Sequence, residues 1–103
     1  MAYKLIVSTE AHRDIDEITA YIACDLNNTQ AAISFIDNVE SSYRYIVENL
    51  HMYGMCADAR LRKEGYRKIP LKNHLLIYRV DDAQKHVFIV RVLYDSRDYA
   101  KLL

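Results

Sequence analysis

Two segments, LLIYRV at residues 75–80 and HVFIVRVL at residues 86–93, most restrict what this chain can fold into. Almost every position in them is apolar, β-branched or aromatic, which is the composition of strands. Asp81, Asp82, Ala83, Gln84 and Lys85 lie between them, so the two read as an antiparallel hairpin. Pairing Val80 with His86 assigns His74, Leu76, Tyr78, Val80, His86, Phe88, Val90 and Val92 to one face. Leu75, Ile77, Arg79, Val87, Ile89, Arg91 and Leu93 take the other. The first face is suited to packing helices. The second is also apolar, yet a sheet covered by helices on one side only should be polar on its other side. The last ten residues, or a second protein chain, are therefore expected to cover it. Arg79 and Arg91 lie within that face, where an unpaired guanidinium is costly; carboxylates in the tail at residues 95–98, or on a partner, are the expected counterions.

Upstream, the apolar period lengthens. Ala11, Ile15, Ile18 and Ile22 recur at spacings of 4, 3 and 4, and Ala32, Ile36, Val39, Tyr43, Ile46 and Leu50 at 4, 3, 4, 3 and 4. Both are helical stripes. Ser8 or Thr9 caps the first helix, whose acidic opening, with Glu10, Asp14, Asp16 and Glu17, suits the positive end of the helix dipole. Asp25, Leu26, Asn27 and Asn28 form the turn, and Thr29 is the candidate cap of the second helix. So short a connection implies an antiparallel helical hairpin. Residues 3–7 (YKLIV) read as a short strand. Arg60, Leu61, Arg62 and Lys63 read as a basic strand or loop edge, and Gly65 opens a strand whose Pro70 marks an edge or a bulge. Lys68 and Pro70 extend the arginine-bearing face if Ile69 and Leu71 point inward. The sum is an α+β domain over residues 1–103: an N-terminal strand, a two-helix antiparallel hairpin, then a mainly antiparallel three- to four-stranded sheet, with the helices on one face.

Composition removes whole classes of function. No window holds the roughly 18 apolar residues of a membrane span, and the N-terminal apolar run is too short for an export signal, so a cytoplasmic protein is expected. Cys24 and Cys56 are then expected to be reduced, and their spacing fits no zinc pattern. His12 and His51 have no partners at metal-ligand spacing. No Gly-rich phosphate loop, Ser/His/Asp order or Cys/His nucleophile stands out, so neither metal nor cofactor is expected. With 51% hydrophobic residues, including nine Tyr, the chain carries more apolar surface than a disordered one. Net charge is zero, but residues 1–56 hold three basic against eight acidic side chains and residues 57–103 eleven against six. The division reads either as an anionic partner for the C-terminal half or as complementary charge within one domain.

The order of these elements resembles the RelE/ParE superfamily of bacterial toxins. The strand Tyr66-Arg67-Lys68-Ile69-Pro70-Leu71, the strand ending Tyr78-Arg79-Val80 and the closing run from Val90 to Asp98 carry the same resemblance. It implies the toxin of a type II toxin–antitoxin module, neutralised by a cognate antitoxin that wraps it, and either homodimers or toxin–antitoxin hetero-oligomers. The superfamily divides between inhibitors of DNA gyrase and ribosome-dependent mRNA endoribonucleases. Toxin homologues without toxicity, acting only as antitoxin-binding modules, form a further alternative.

A nuclease needs cations to orient the scissile phosphate and a group to move a proton. The resemblance assigns those roles to Lys68, Arg91, Tyr94 and Arg97. Leu75 stands where such nucleases hold an arginine, and Pro70 interrupts the strand on which they carry lysines. The zero net charge is also unusual for a ribosome-binding toxin, so the gyrase branch is the expected one. Contacts to target or antitoxin are expected from Arg60, Arg62, Lys63, Arg67, Leu75, Ile77, Arg79 and Ile89. Tyr94 has an alternative as sheet-end packing, the basic stretch has one as a solvated edge, and His74 and His86 are expected to face the helices.

Overall fold

The computed structural model of the protein describes residues 3–50 and 59–94. Its elements run β1 (Lys4–Val7), α1 (Thr9–Ala20), a π-helical turn (Tyr21–Asp25), α2 (Thr29–Glu48), α3 (Ala59–Lys63), β2 (Tyr66–Pro70), β3 (His74–Asp81) and β4 (His86–Tyr94). The four strands form one sheet in the order β1-β4-β3-β2. β1 runs parallel to β4, from Lys4 opposite His86 to Val7 opposite Ile89, and the other two pairings are antiparallel.

The two long helices, α1 and α2, each start on a side chain that satisfies a backbone donor. The Ser8 Oγ accepts from the Ala11 amide at 3.0 Å and donates to the Val90 carbonyl at 2.9 Å, so one hydroxyl both caps α1 and ties it to β4. At α2 the cap is Asn28, not Thr29: Asn28 Oδ1 accepts from the Ala31 amide at 3.0 Å, and Thr29 is already the first helical residue. Between the helices the turn widens, with the Leu26 amide donating to the Tyr21 carbonyl. Asn27 then reverses the chain at φ 49°, a left-handed conformation asparagine adopts at low cost.

The core lies between the helical hairpin and one face of the sheet. Ala11 and Ile18 of α1 and Phe35, Val39 and Ile46 of α2 meet Ile69, Leu76, Tyr78, Val87, Ile89 and Val92. Ile15 and Ile22 pack at its margin, as the α1 stripe predicts. The α2 stripe is rotated from its predicted position: Phe35 and Ser42 are buried and Ile36 is exposed. Apolar side chains flank the seam at both 35 and 36, and the larger ring takes the inner position against His74.

The hairpin register differs from the predicted one and changes part-way along. Val80 lies opposite Val87, not His86, and Asp81 opposite His86; beyond a bulge at Val90, Ile77 pairs with Arg91 and Leu76 with Val92. A slip of one residue exchanges faces. Val87 and Ile89 therefore enter the helix-facing core, while His86 and Phe88 turn to the opposite face, where their rings meet edge-on at 5.7 Å. The bulge adds one residue and restores the expected sidedness for Leu76, Val92, Leu75 and Leu93. A bulge has no apolar periodicity of its own, and for this reason the strand pattern does not reveal it.

Residues 59–63 correct a second expectation, since they form one turn of helix with Leu61 fully buried. Ala, Arg, Leu and Lys are all good helix formers. Gly65, at φ 89°, ends the turn in a backbone conformation that other residues adopt with strain.

Ser8→Ala removes both the cap and the β4 tether. It should cost about 1–2 kcal/mol and lower the thermal midpoint by roughly 5–10 °C, read by circular dichroism.

Candidate functional site

β1 ends opposite Ile89, and the edge of β4 beyond it is finished by side chains. Asp14, buried on the inner side of α1, reaches this edge: its Oδ2 accepts from the Val92 amide at 3.1 Å and from Arg91 Nε at 2.6 Å, and its Oδ1 accepts from Arg91 Nη2 at 3.0 Å. The pair is largely withdrawn from water, with side-chain exposures of 23% for Arg91 and 11% for Asp14. The hydrogen bonds it donates to Asp14 hold the guanidinium above its already high pKa against the opposing effect of burial, with further help from Asp14, Glu10 and Glu17 charge. Arg91 thus finds its carboxylate in α1. The tail carboxylates proposed from sequence, Asp95 and Asp98, lie outside the described residues, as do Arg97, His51 and Cys56.

A carboxylate among the apolar positions Ala11, Ile15 and Ile18 is the signal that could have exposed Asp14. Read as part of the acidic helix opening, it looks like surface charge.

The opposite sheet face divides into two parts. Towards one end, Leu75, Ile77 and Leu93 are closed to solvent within this single chain, at 5%, 0% and 4% exposure. Towards the other end, Tyr66, Arg79 and Phe88 lie in register across β2, β3 and β4 and are partly exposed, with the Arg79 guanidinium 5.5 Å from the centre of the Phe88 ring. Of the residues expected to contact a target or antitoxin, Ile89 is therefore a correction, since it faces the helices. Leu75 and Ile77 sit on the expected face but buried. Arg79 remains accessible there, beside Lys68. Arg67 projects on the helix side, opposite Tyr78, and is half-buried. Arg62 and Lys63 are exposed on α3, as is Arg60, which pairs with Glu64 at 3.8 Å. A basic band thus runs from α3 onto the edge of the sheet.

His74 begins β3 on the helix side, as expected; His86, after the register change, does not. The His74 ring lies between Phe35 and Tyr94, with centroids 5.2 and 4.6 Å away, and burial lowers its pKa. Tyr94 packs on His74 yet keeps 43% of its surface exposed. Lys68, Arg91 and Tyr94 therefore do not converge: Arg91 is held by Asp14, and Tyr94 stacks on the other side of the sheet from Lys68. Among the described residues no three His, Cys, Asp or Glu side chains gather as a metal site, and no helix is long and apolar enough to cross a membrane.

Residues 5–99 match the family model of the ParE toxin of the type II toxin–antitoxin system parDE. The chain belongs to this family. It is a type II toxin of the RelE/ParE superfamily, and its α+β fold is the fold of solved relatives on both sides of that superfamily. The chromosomal ParDE toxin–antitoxin system from P. aeruginosa superposes with a TM-score of 0.71 at 17% identity, covering 89% of this chain and 95% of that one. A mutant of the E. coli toxin RelE in the free state gives 0.68 at 15% identity, covering 99% and 93%. The intact E. coli RelBE toxin–antitoxin complex gives 0.63 at 16%, covering 93% and 100%. No curated protein matches the sequence.

Asp14→Ala strands a guanidinium and a strand amide in the toxin, and should cost about 2–4 kcal/mol in denaturant unfolding. The double mutant with Arg91→Ala should recover part of that loss, a coupling of about 1–3 kcal/mol. His74 makes a second prediction. Its folded pKa lies below its unfolded value, so its contribution is fully present above about pH 6.5 and is lost as the pH falls towards the folded pKa. His74→Phe should therefore flatten the decline of the thermal midpoint between about pH 7.5 and about pH 5.5.

Proposed function

We propose that this toxin acts in the cytoplasm as an inhibitor of DNA gyrase, rather than as a ribosome-dependent endoribonuclease, and that a cognate antitoxin neutralises it. The observation that carries this reading is the bidentate Asp14–Arg91 pair. A nuclease must aim its cations at the scissile phosphate, whereas one edge of the Arg91 guanidinium, through Nε and Nη2, binds a carboxylate of the same chain. Leu75, which stands where the nucleases hold an arginine, is buried and supports the same reading. Gyrase inhibition requires a protein-binding surface and no assembled acid–base pair. An antitoxin with an acidic segment suits the basic band of Arg60, Arg62, Lys63 and Arg67 and the partly exposed Arg79, where charge complementarity steers association.

Brief induction, followed by analysis of RNA and DNA from the same cells, tests the reading. Filamentous cells, DNA breaks and impaired supercoiling with intact mRNA are expected, and co-expression of the antitoxin should restore growth. Messenger RNAs cut at ribosomal A-site positions, reproduced by the purified protein on ribosomes, would overturn it. In that event Arg91→Ala should lower cleavage by about 10- to 1000-fold, the scale of losing a transition-state charge contact.

A further inference from the structure

α2 carries two stripes side by side. Ala32, Phe35, Val39, Ser42 and Ile46 face the core and are buried. Ile33, Ile36, Glu40, Tyr43 and Val47, each one residue further on, repeat the same 3, 4, 3, 4 spacing along the flank of the helix. There Ile33, Ile36 and Val47 are 46%, 36% and 38% exposed. β-Branched residues form helices less readily than Ala, Glu or Lys, so at exposed positions they support neither the helix nor the core. About two to three turns beyond Ile36, the same flank opens into a hollow of about 310 Å³. Leu5 of β1 lines it together with Tyr43, Arg44, Val47 and Glu48 of α2. Protruding aliphatic side chains thus stand at one end of the stripe, and a hollow with apolar walls lies at the other.

We propose that this flank of α2 binds a second copy of the chain, with the two α2 helices antiparallel about a two-fold axis. A surface that carries both a knob and a hollow is complementary to itself in that arrangement, and the interface closes at two copies. Ile36 of each copy enters the hollow of the other, opposite Val47. Glu40 then lies opposite Tyr43 of the second copy, whose hydroxyl supplies a donor to the carboxylate. The charges select the antiparallel sense. Asp37 and Arg44 flank the stripe on its outer side, roughly 10 Å apart along the axis and too distant to pair within one helix. Among the described residues Arg44 meets the Ser41 hydroxyl at 3.3 Å and no carboxylate, and Asp37 meets no cation. Antiparallel packing sets Asp37 against Arg44 of the second copy, twice over; parallel packing would oppose like charges at both positions. The stripe shares no residue with the basic band and does not include Arg91, so it stands apart from the gyrase reading.

Sedimentation velocity on the purified full chain, without antitoxin, tests this. A reversible monomer–dimer equilibrium with a Kd of about 10 µM is expected, as for a small symmetric interface. Ile36→Asp, at an exposed position, should weaken it by at least about tenfold while the helical circular dichroism and the thermal transition are retained. Asp37→Arg and Arg44→Asp should each weaken the dimer by roughly tenfold, because each breaks two symmetric pairs and opposes like charges. The double variant D37R/R44D, which exchanges the two charges, should return to within about threefold of the wild type. A chain that stays monomeric at about twenty times that Kd would overturn the proposal. So would a dimer indifferent to Ile36→Asp, which would put the interface elsewhere. Failure of the double variant to recover would overturn the antiparallel arrangement. Protection of residues 33–47 from hydrogen exchange that appears only when antitoxin is added would give this face to the antitoxin and overturn the dimer.

Discussion

One carboxylate joins the two halves of this fold. Asp14 receives a backbone amide and two guanidinium hydrogens, all from adjacent residues of β4, and so completes a strand edge that β1 is too short to cover. Ser8, two turns earlier, performs the neighbouring task at Val90. Between them they fix how α1 lies along β4, and the position of α1 sets the seam into which α2 packs. The energetic logic is that of a satisfied polar network at the margin of an apolar core: every member has its partner, and removal of one exposes the desolvation cost of the rest.

Much of the architecture was legible from periodicity. The helical stripes gave the hairpin, and two apolar runs around a polar turn gave β3 and β4. The element order then pointed to the superfamily whose family model the chain matches. What escaped was local geometry that leaves no period behind. The one-residue difference in register moved His86, Phe88, Val87 and Ile89 to faces opposite those predicted, and the Val90 bulge restored the rest. The cap fell on Asn28 rather than Thr29 because either side chain can accept the orphan amide, and only the backbone decides which residue stands outside the helix. The basic run on α3 read as a strand or loop edge because five residues are too few to show a helical period.

The candidate site was legible in its parts and not in its assembly. That Arg79 and Arg91 sit amid apolar neighbours was readable; that Arg91 is answered from seventy-seven residues upstream was not, because Asp14 sits in an acidic helix opening that already has a sufficient explanation. Similarly, His74 and Tyr94 can be placed individually, but their stacking depends on a register set by the bulge. Ion pairs between distant elements are the least legible feature of a single sequence. In this protein such a pair also decides which cations remain available to a partner.

The pairing of β1 with β4 has a consequence for how the toxin comes into being. Ser8 and its acceptor Val90 are 82 residues apart, and β4 is the strand that contacts β1, β3 and Asp14 together. During synthesis the helical hairpin emerges with its apolar face uncovered and β1 without a neighbour; β2 and β3 can cover only part of that face, and β1 has no strand to pair with until residues 86–89 have been made. Contacts so distant in sequence form late, since the loop they close must first be ordered. The nascent chain thus spends most of its elongation with an open apolar surface, a period in which a second protein can reach side chains that the finished fold conceals.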